Sequence, residues 1–131
     1  LGVTIIKTLL AAATSYGYLN KFDYCLVDVP CSGLGVISHK PDLKYHITLK
    51  DIEEINALQK KIIRHVSKFV KDGGILVYST CTINKFENEW LVKDFLNEFK
   101  EFIKLEEEII LPSSERDGFY ICKMRKEKIC E

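Results

Sequence analysis

Two short apolar runs, each breaking off into a small polar loop that carries a cysteine, constrain this chain more than anything else in it. The first is Tyr24-Cys25-Leu26-Val27-Asp28-Val29-Pro30-Cys31-Ser32-Gly33; about fifty positions on comes Gly74-Ile75-Leu76-Val77-Tyr78-Ser79-Thr80-Cys81-Thr82. Runs of this length and composition read as buried strands. The stretch between them is long enough for a crossover helix, so the pair predicts a right-handed unit with two adjacent parallel strands. Both loops then leave the carboxyl ends of neighbouring strands, the edge at which open α/β sheets bind ligands.

The remaining elements follow from periodicity and caps. Phe22 to Val29 is a continuous apolar strand, as expected where both faces of a parallel sheet are covered. Thr48-x-x-Asp51 is a capping box variant that opens a helix. Ile52, Ile55, Leu58, Ile62, Val66, Phe69 and Val70 give it one apolar face, and Gly73-Gly74 stops it. Ile75 to Tyr78 is the second core strand. Asn84-x-x-Glu87 caps another helix reaching to about Phe99, with Leu91, Phe95, Leu96 and Phe99 inward. Phe102 to Leu111 and Phe119 to Met124 read as strands around a turn-rich loop, and Arg125 to Lys128 as a frayed, charged tail. The order is α/β, with parallel strands first and a terminal antiparallel hairpin. Residues 1–21 are undecided: up to Ala13 strand and helix both stay open, because Gly2-Val3-Thr4-Ile5-Ile6 favours one and Leu9-Leu10-Ala11-Ala12-Ala13 the other, while Ser15 to Lys21, with Gly17 and Asn20, reads as a turn. Leu1 is not an initiator Met and reads as an internal start.

At 131 residues the chain makes one domain at most. Lys+Arg and Asp+Glu are equal at 19 each, so any surface for nucleic acid has to be local. No apolar run is long enough to span a membrane, and the N-terminus lacks the pattern of a signal peptide. The five cysteines are odd in number and form no Cys-x-x-Cys pair, and His39, His46 and His65 are not at ligand spacing, which argues against structural zinc. Unpaired thiols without a secretion signal point to a reducing cytoplasm.

Cys31 and Cys81 are the chemical candidates. A thiolate is the strongest side-chain nucleophile at neutral pH, and a helix starting just after Cys81 favours it there. Asp28 at the neighbouring strand end is placed to polarise an electrophile, and Pro30 stiffens the loop that displays Cys31. Two thiols and one carboxylate suit a reaction that adds a nucleophile and later eliminates it. The bland alternatives stay open: a free Cys is commonly a small core hydrophobe, which suits Cys25 and Cys122, and Asp28 is equally a turn former. A thiol-transfer pair, with a disulfide between Cys31 and Cys81, is a further reading.

Asp28-Val29-Pro30-Cys31-Ser32-Gly33-Leu34-Gly35 and Tyr78-Ser79-Thr80-Cys81-Thr82 resemble the two signature loops of RNA cytosine-C5 methyltransferases of the NOL1/NOP2/Sun family, in its bacterial ribosomal RNA small subunit methyltransferase B-like branch. Pro41-Asp42, Gln59, Gly73-Gly74, Glu87-Asn88-Glu89 and the closing Leu111-Pro112…Asp117-Gly118-Phe119-Tyr120 match as well, so the resemblance covers residues 22–126 and leaves 127–131 as a tail. It implies the C-terminal part of a Rossmann-like, S-adenosylmethionine-dependent catalytic domain acting on C5 of cytosine in RNA, ribosomal RNA first. Cys81 is then the nucleophile toward C6, Asp28 holds the N3/N4 edge of the base, and Cys31 assists loss of the C5 proton and release. Asp28 and Pro30 border the cofactor, and Ser32, Gly33, His39, Lys40 and Lys44 face the RNA, although a solvated surface explains the basic loop equally well.

No Gly-x-Gly cluster occurs before residue 20, which departs from the family's cofactor loop. The resemblance therefore predicts that the cofactor site lies largely outside these residues, that the chain alone is inactive, and that its uncovered sheet edge invites self-association. A non-catalytic RNA-binding or assembly module with the same fold is the alternative.

Overall fold

β1 (Phe22–Asp28) and β2 (Val70–Thr80) lie side by side and parallel in the computed structural model, with Asp28 opposite Ser79 at their carboxyl ends. Between them runs α1 (Leu49–Ser67); after them come α2 (Glu89–Glu98), β3 (Phe102–Ile110) and β4 (Phe119–Lys126). The structure describes residues 2, 9–15, 17–33 and 47–128. The segment with His39, Lys40, Lys44, Tyr45 and His46, and also Cys130, lies outside them. The described residues before β1 carry neither helix nor strand.

β4 inserts between β2 and β3, giving the sheet order β1-β2-β4-β3 with antiparallel pairing on both sides of β4. The expected parallel start and terminal hairpin are both present. The hairpin strand that returns to the centre carries Tyr120, Cys122 and Met124, all buried, opposite Thr80, Tyr78 and Leu76 of β2. Ile62, Ile63 and Val66 of α1 and Leu91, Val92 and Phe95 of α2 complete one core with that face.

The Thr48 capping box forms as the sequence predicts: the Thr48 hydroxyl accepts from the Asp51 N–H at 3.2 Å and the Asp51 carboxylate accepts from the Thr48 N–H at 2.9 Å. The end of α1 differs from expectation. The helix stops at Ser67, capped by Lys68, so Phe69 leaves the helix and Val70 already belongs to β2. Its last turn closes without a glycine, because His65 O accepts from Lys68 N–H at 3.2 Å and Val66 O from Phe69 N–H at 2.9 Å, while just beyond it Lys68 O accepts from Asn20 N–H at 2.8 Å and Phe69 O from Lys21 and Phe22 N–H at 2.9 Å. Gly73 and Gly74 instead serve β2, at the irregularity where its register against β1 shifts between Phe22 and Tyr24. Gly73 has φ 82°, and a Cβ on Gly74 would stand 2.7 Å from Val70 Cγ1 and 3.0 Å from Asp23 O. Leu58 is 39% exposed and off the apolar face, where Gln59 is buried in its place.

Two further expectations are corrected. β1 is covered on one face only: Val27 and Val29 pack toward α1, while Tyr24 and Leu26, 77% and 72% exposed, point to the other side. Arg125 and Lys126 are not frayed but extend β4, where Lys126 Nζ donates to Asn20 Oδ1 and Val70 O, each at 3.0 Å.

Candidate functional site

The register of β1 and β2 brings the two cysteine loops together. Val29 N–H donates to Ser79 O across the strand ends, and beyond that bond the strands part into Pro30-Cys31 and Thr80-Cys81. The sulfurs meet there: Cys31 Sγ lies 2.7 Å from Cys81 Sγ. Both side chains are half-buried. Burial pushes the Cys31 thiol up to about 12, with the neighbouring Cys81 sulfur adding to the rise, so Cys31 carries its proton at physiological pH. The two sulfurs lie within hydrogen-bonding reach, and either can donate to the other.

Asp28 is exposed at the same edge, where its Oδ1 accepts from the Ser79 hydroxyl at 2.9 Å. The Pro30 carbonyl accepts from Gln59 Nε2 at 2.8 Å, which ties the first loop to α1. Ser32 is turned inward and only 4% exposed, and Gly33 is buried beside it with φ 75°. Cys81, Cys31, Asp28, Pro30, Ser32 and Gly33 therefore share one end of the sheet. Cys25 and Cys122 sit within strands as expected, the second fully buried.

Beneath the thiols lies a polar cluster whose members the sequence did not bring together. Glu87 is fully buried. Its Oε1 accepts from Ser32 N–H at 2.8 Å and Gln59 Nε2 at 3.0 Å; its Oε2 accepts from the Ser32 hydroxyl at 2.7 Å and the Thr82 hydroxyl at 3.3 Å. Tyr78 donates its hydroxyl to Glu87 O at 2.6 Å, and Asn88 accepts from Thr80 and donates to Thr82 O. Burial raises the Tyr78 phenol, with Glu87 the next contribution. One sequence signal marks this cluster, a glutamine at position 59 on an otherwise apolar helix face.

The same cluster explains why α2 starts late. Glu87 is drawn into the interior rather than back to Asn84, so residues 85–88 form turns and the helix begins at Glu89. Asn84 Oδ1 instead caps a local turn by accepting from Phe86 N–H at 2.9 Å. The expected support of Cys81 by a helix N-terminus is withdrawn, because that influence fades within the first turn and α2 starts eight residues on.

Comparison with known proteins supplies an independent line. The family model described as 16S rRNA methyltransferase RsmB/F matches residues 1–125. A Bacillus subtilis protein named probable ribosomal RNA small subunit methyltransferase B is 40% identical over 147 aligned positions, covering 96% of this chain and 33% of its own length. The crystal structure of PH0851 superposes with a TM-score of 0.90 at 29% identity, over 95% of this chain and 32% of that one. NSun6 from Pyrococcus horikoshii with SFG superposes at 0.77 with 34% identity, over 98% of this chain and 36% of that one. The chain spans about a third of the length of the Bacillus relative it matches.

Proposed function

The chain belongs to the 16S rRNA methyltransferase RsmB/F family, in the NOL1/NOP2/Sun group with its Rossmann-like methyltransferase fold, and on that premise we propose that its cysteine loops methylate C5 of cytosine in RNA. Ribosomal RNA is the substrate this reading favours. The observation that carries it is the contact of two thiols at 2.7 Å on the sheet edge that also displays Asp28.

Cys81 Sγ adds to C6 of the flipped-out base, forming a C–S bond while the electrons of the C5–C6 double bond move toward C5. Asp28 holds the N3/N4 edge as its acid form, donating O–H to N3, where the displaced charge gathers, and accepting from N4–H with its other oxygen. S-adenosylmethionine supplies an electrophilic methyl group to C5. Loss of the C5 proton to water then re-forms the C5–C6 double bond and expels Cys81 as a thiolate, and Cys31 assists that release, its protonated sulfur 2.7 Å from the one that leaves. Asp28 and Pro30, both exposed at this sheet edge, would border that cofactor. Ser32 and Gly33 shape the loop that faces the RNA, and the basic character of His39, Lys40 and Lys44 suits contacts to its phosphates. A ribosomal RNA substrate puts the work in the cytoplasm. No helix among the described residues is long and apolar enough to cross a membrane.

The test uses the full-length protein with RNA carrying 5-fluorocytosine, S-adenosylmethionine, and a denaturing gel with intact mass. Fluorine at C5 cannot leave as a proton does, so the enzyme stays attached. The expected result is a covalent adduct that Cys81→Ala abolishes. No adduct from folded, cofactor-bound protein would favour a non-catalytic RNA-binding or assembly module.

A further inference from the structure

The buried carboxylate of Glu87 takes no part in the chemistry above, yet it touches both loops that do. Each loop offers it the residue next to its cysteine: Ser32 follows Cys31, and Thr82 follows Cys81. The two hydroxyls also meet each other at 3.0 Å. Gln59 bonds Glu87 and, through the same amide nitrogen, the Pro30 carbonyl on the other side of Cys31. The Cys31 loop is thus fixed before and after its thiol, and the Cys81 loop directly after.

We propose that Glu87 is a positioning residue, a buried four-donor acceptor that sets the distance between Cys31 and Cys81 by gripping Ser32 and Thr82 at once. Packing alone gives little reason for a carboxylate here, since burying a charge is costly even when it is hydrogen-bonded, and apolar groups of similar volume often serve stability as well or better. What an apolar group cannot do is bond an amide and two hydroxyls from two different loops. Thiols that must act in turn on one base gain from such a link, because a misplacement of about 1 Å can cost a hundredfold in rate. The consequence for turnover rests on the methyltransferase reading; the control of thiol distance does not.

The experiment therefore reads the distance itself. Diamide converts adjacent thiols to a disulfide, taking two electrons and two protons and leaving as the hydrazine; peptide mass mapping follows the Cys31–Cys81 bond. Glu87→Ala is expected to form it at least tenfold more slowly than wild type in protein that still melts cooperatively, and Glu87→Gln, which keeps the shape and one acceptor, to come within about threefold. Should Glu87→Ala fail to fold, Thr82→Val removes one arm of the grip and should slow the bond severalfold. Equal rates in wild type and the folded variant, fast or slow, overturn the proposal. In the full-length protein Glu87→Ala should also lower kcat at least tenfold with KM changed less than threefold. Slowed thiol oxidation with no 5-fluorocytosine adduct in wild type would sink the methyltransferase reading and leave the positioning role standing.

Discussion

In the proposed reaction Cys31 and Cys81 share one contact but take different steps, and burial governs the state of Cys31. Its thiol is raised from 9.0 to about 12, chiefly by burial. A raised thiol keeps its proton until the pH approaches the new value. At about pH 8 this leaves roughly a thousandfold less thiolate than an ordinary cysteine has, offset by about twentyfold from the greater nucleophilicity of a more basic sulfur. Iodoacetamide should therefore label Cys31 tens of times more slowly than a free thiol, with a rate still climbing beyond pH 9. Peptide mass mapping across that range checks it, and a plateau near 9 would mean that burial is not governing the group. The same protonated thiol leads to a kinetic prediction. Cys31→Ser should keep addition and lose release, so that RNA with ordinary cytosine accumulates as a covalent adduct and turnover falls at least about a hundredfold. A gel free of adduct, with turnover near wild type, would remove Cys31 from the release step.

At the scale of elements, the site depends on strand ends arriving in register, and Gly74 guards that arrival. A Cβ there meets the Lys71 carbonyl at 2.9 Å as well as Val70 and Asp23, two of the three contacts being backbone that cannot swing aside. Gly74→Ala should cost about 1–3 kcal/mol, read as a lower urea midpoint at unchanged slope. An unchanged midpoint would show that the close approach of β1 and β2 is dispensable. The strands themselves, their parallel pairing and the Thr48 box were legible because each is written locally, in apolar runs and a four-residue cap. The start of α2 was not. Asn84-x-x-Glu87 has the spacing of a cap, but Glu87 answers to Ser32 and Gln59, 55 and 28 residues away. Local pattern does not reveal a partner at that distance. Phe69 and Val70 were misplaced for a related reason: apolar spacing continued past the helix end into a segment whose carbonyls, at Lys68 and Phe69, are bonded by backbone N–H groups of residues 20–22.

At the scale of the whole molecule, the described sheet has one finished face and one unfinished. α1 and α2 cover the side of Leu76, Tyr78, Tyr120 and Met124, all fully buried, while Tyr24 and Leu26 stand mostly in solvent on the other. The continuous apolar run of β1 was readable as a strand, but which of its faces is covered depends on elements the run does not encode. β1 is also an edge of the described sheet, so outward apolar side chains and unpaired backbone groups coincide on one strand. Edges and apolar patches of this kind associate, since pairing satisfies the backbone and removes hydrocarbon from water at about 25 cal/mol per Å². The 131-residue chain should therefore sediment above monomer mass at micromolar concentration. Tyr24→Lys with Leu26→Lys should return it to monomer without loss of melting temperature, because neither side chain belongs to the core and outward lysines are a common guard of strand edges. Association that survives both lysines would place the contact elsewhere, with the exposed Phe86 and Trp90 at the start of α2 the next surface to test.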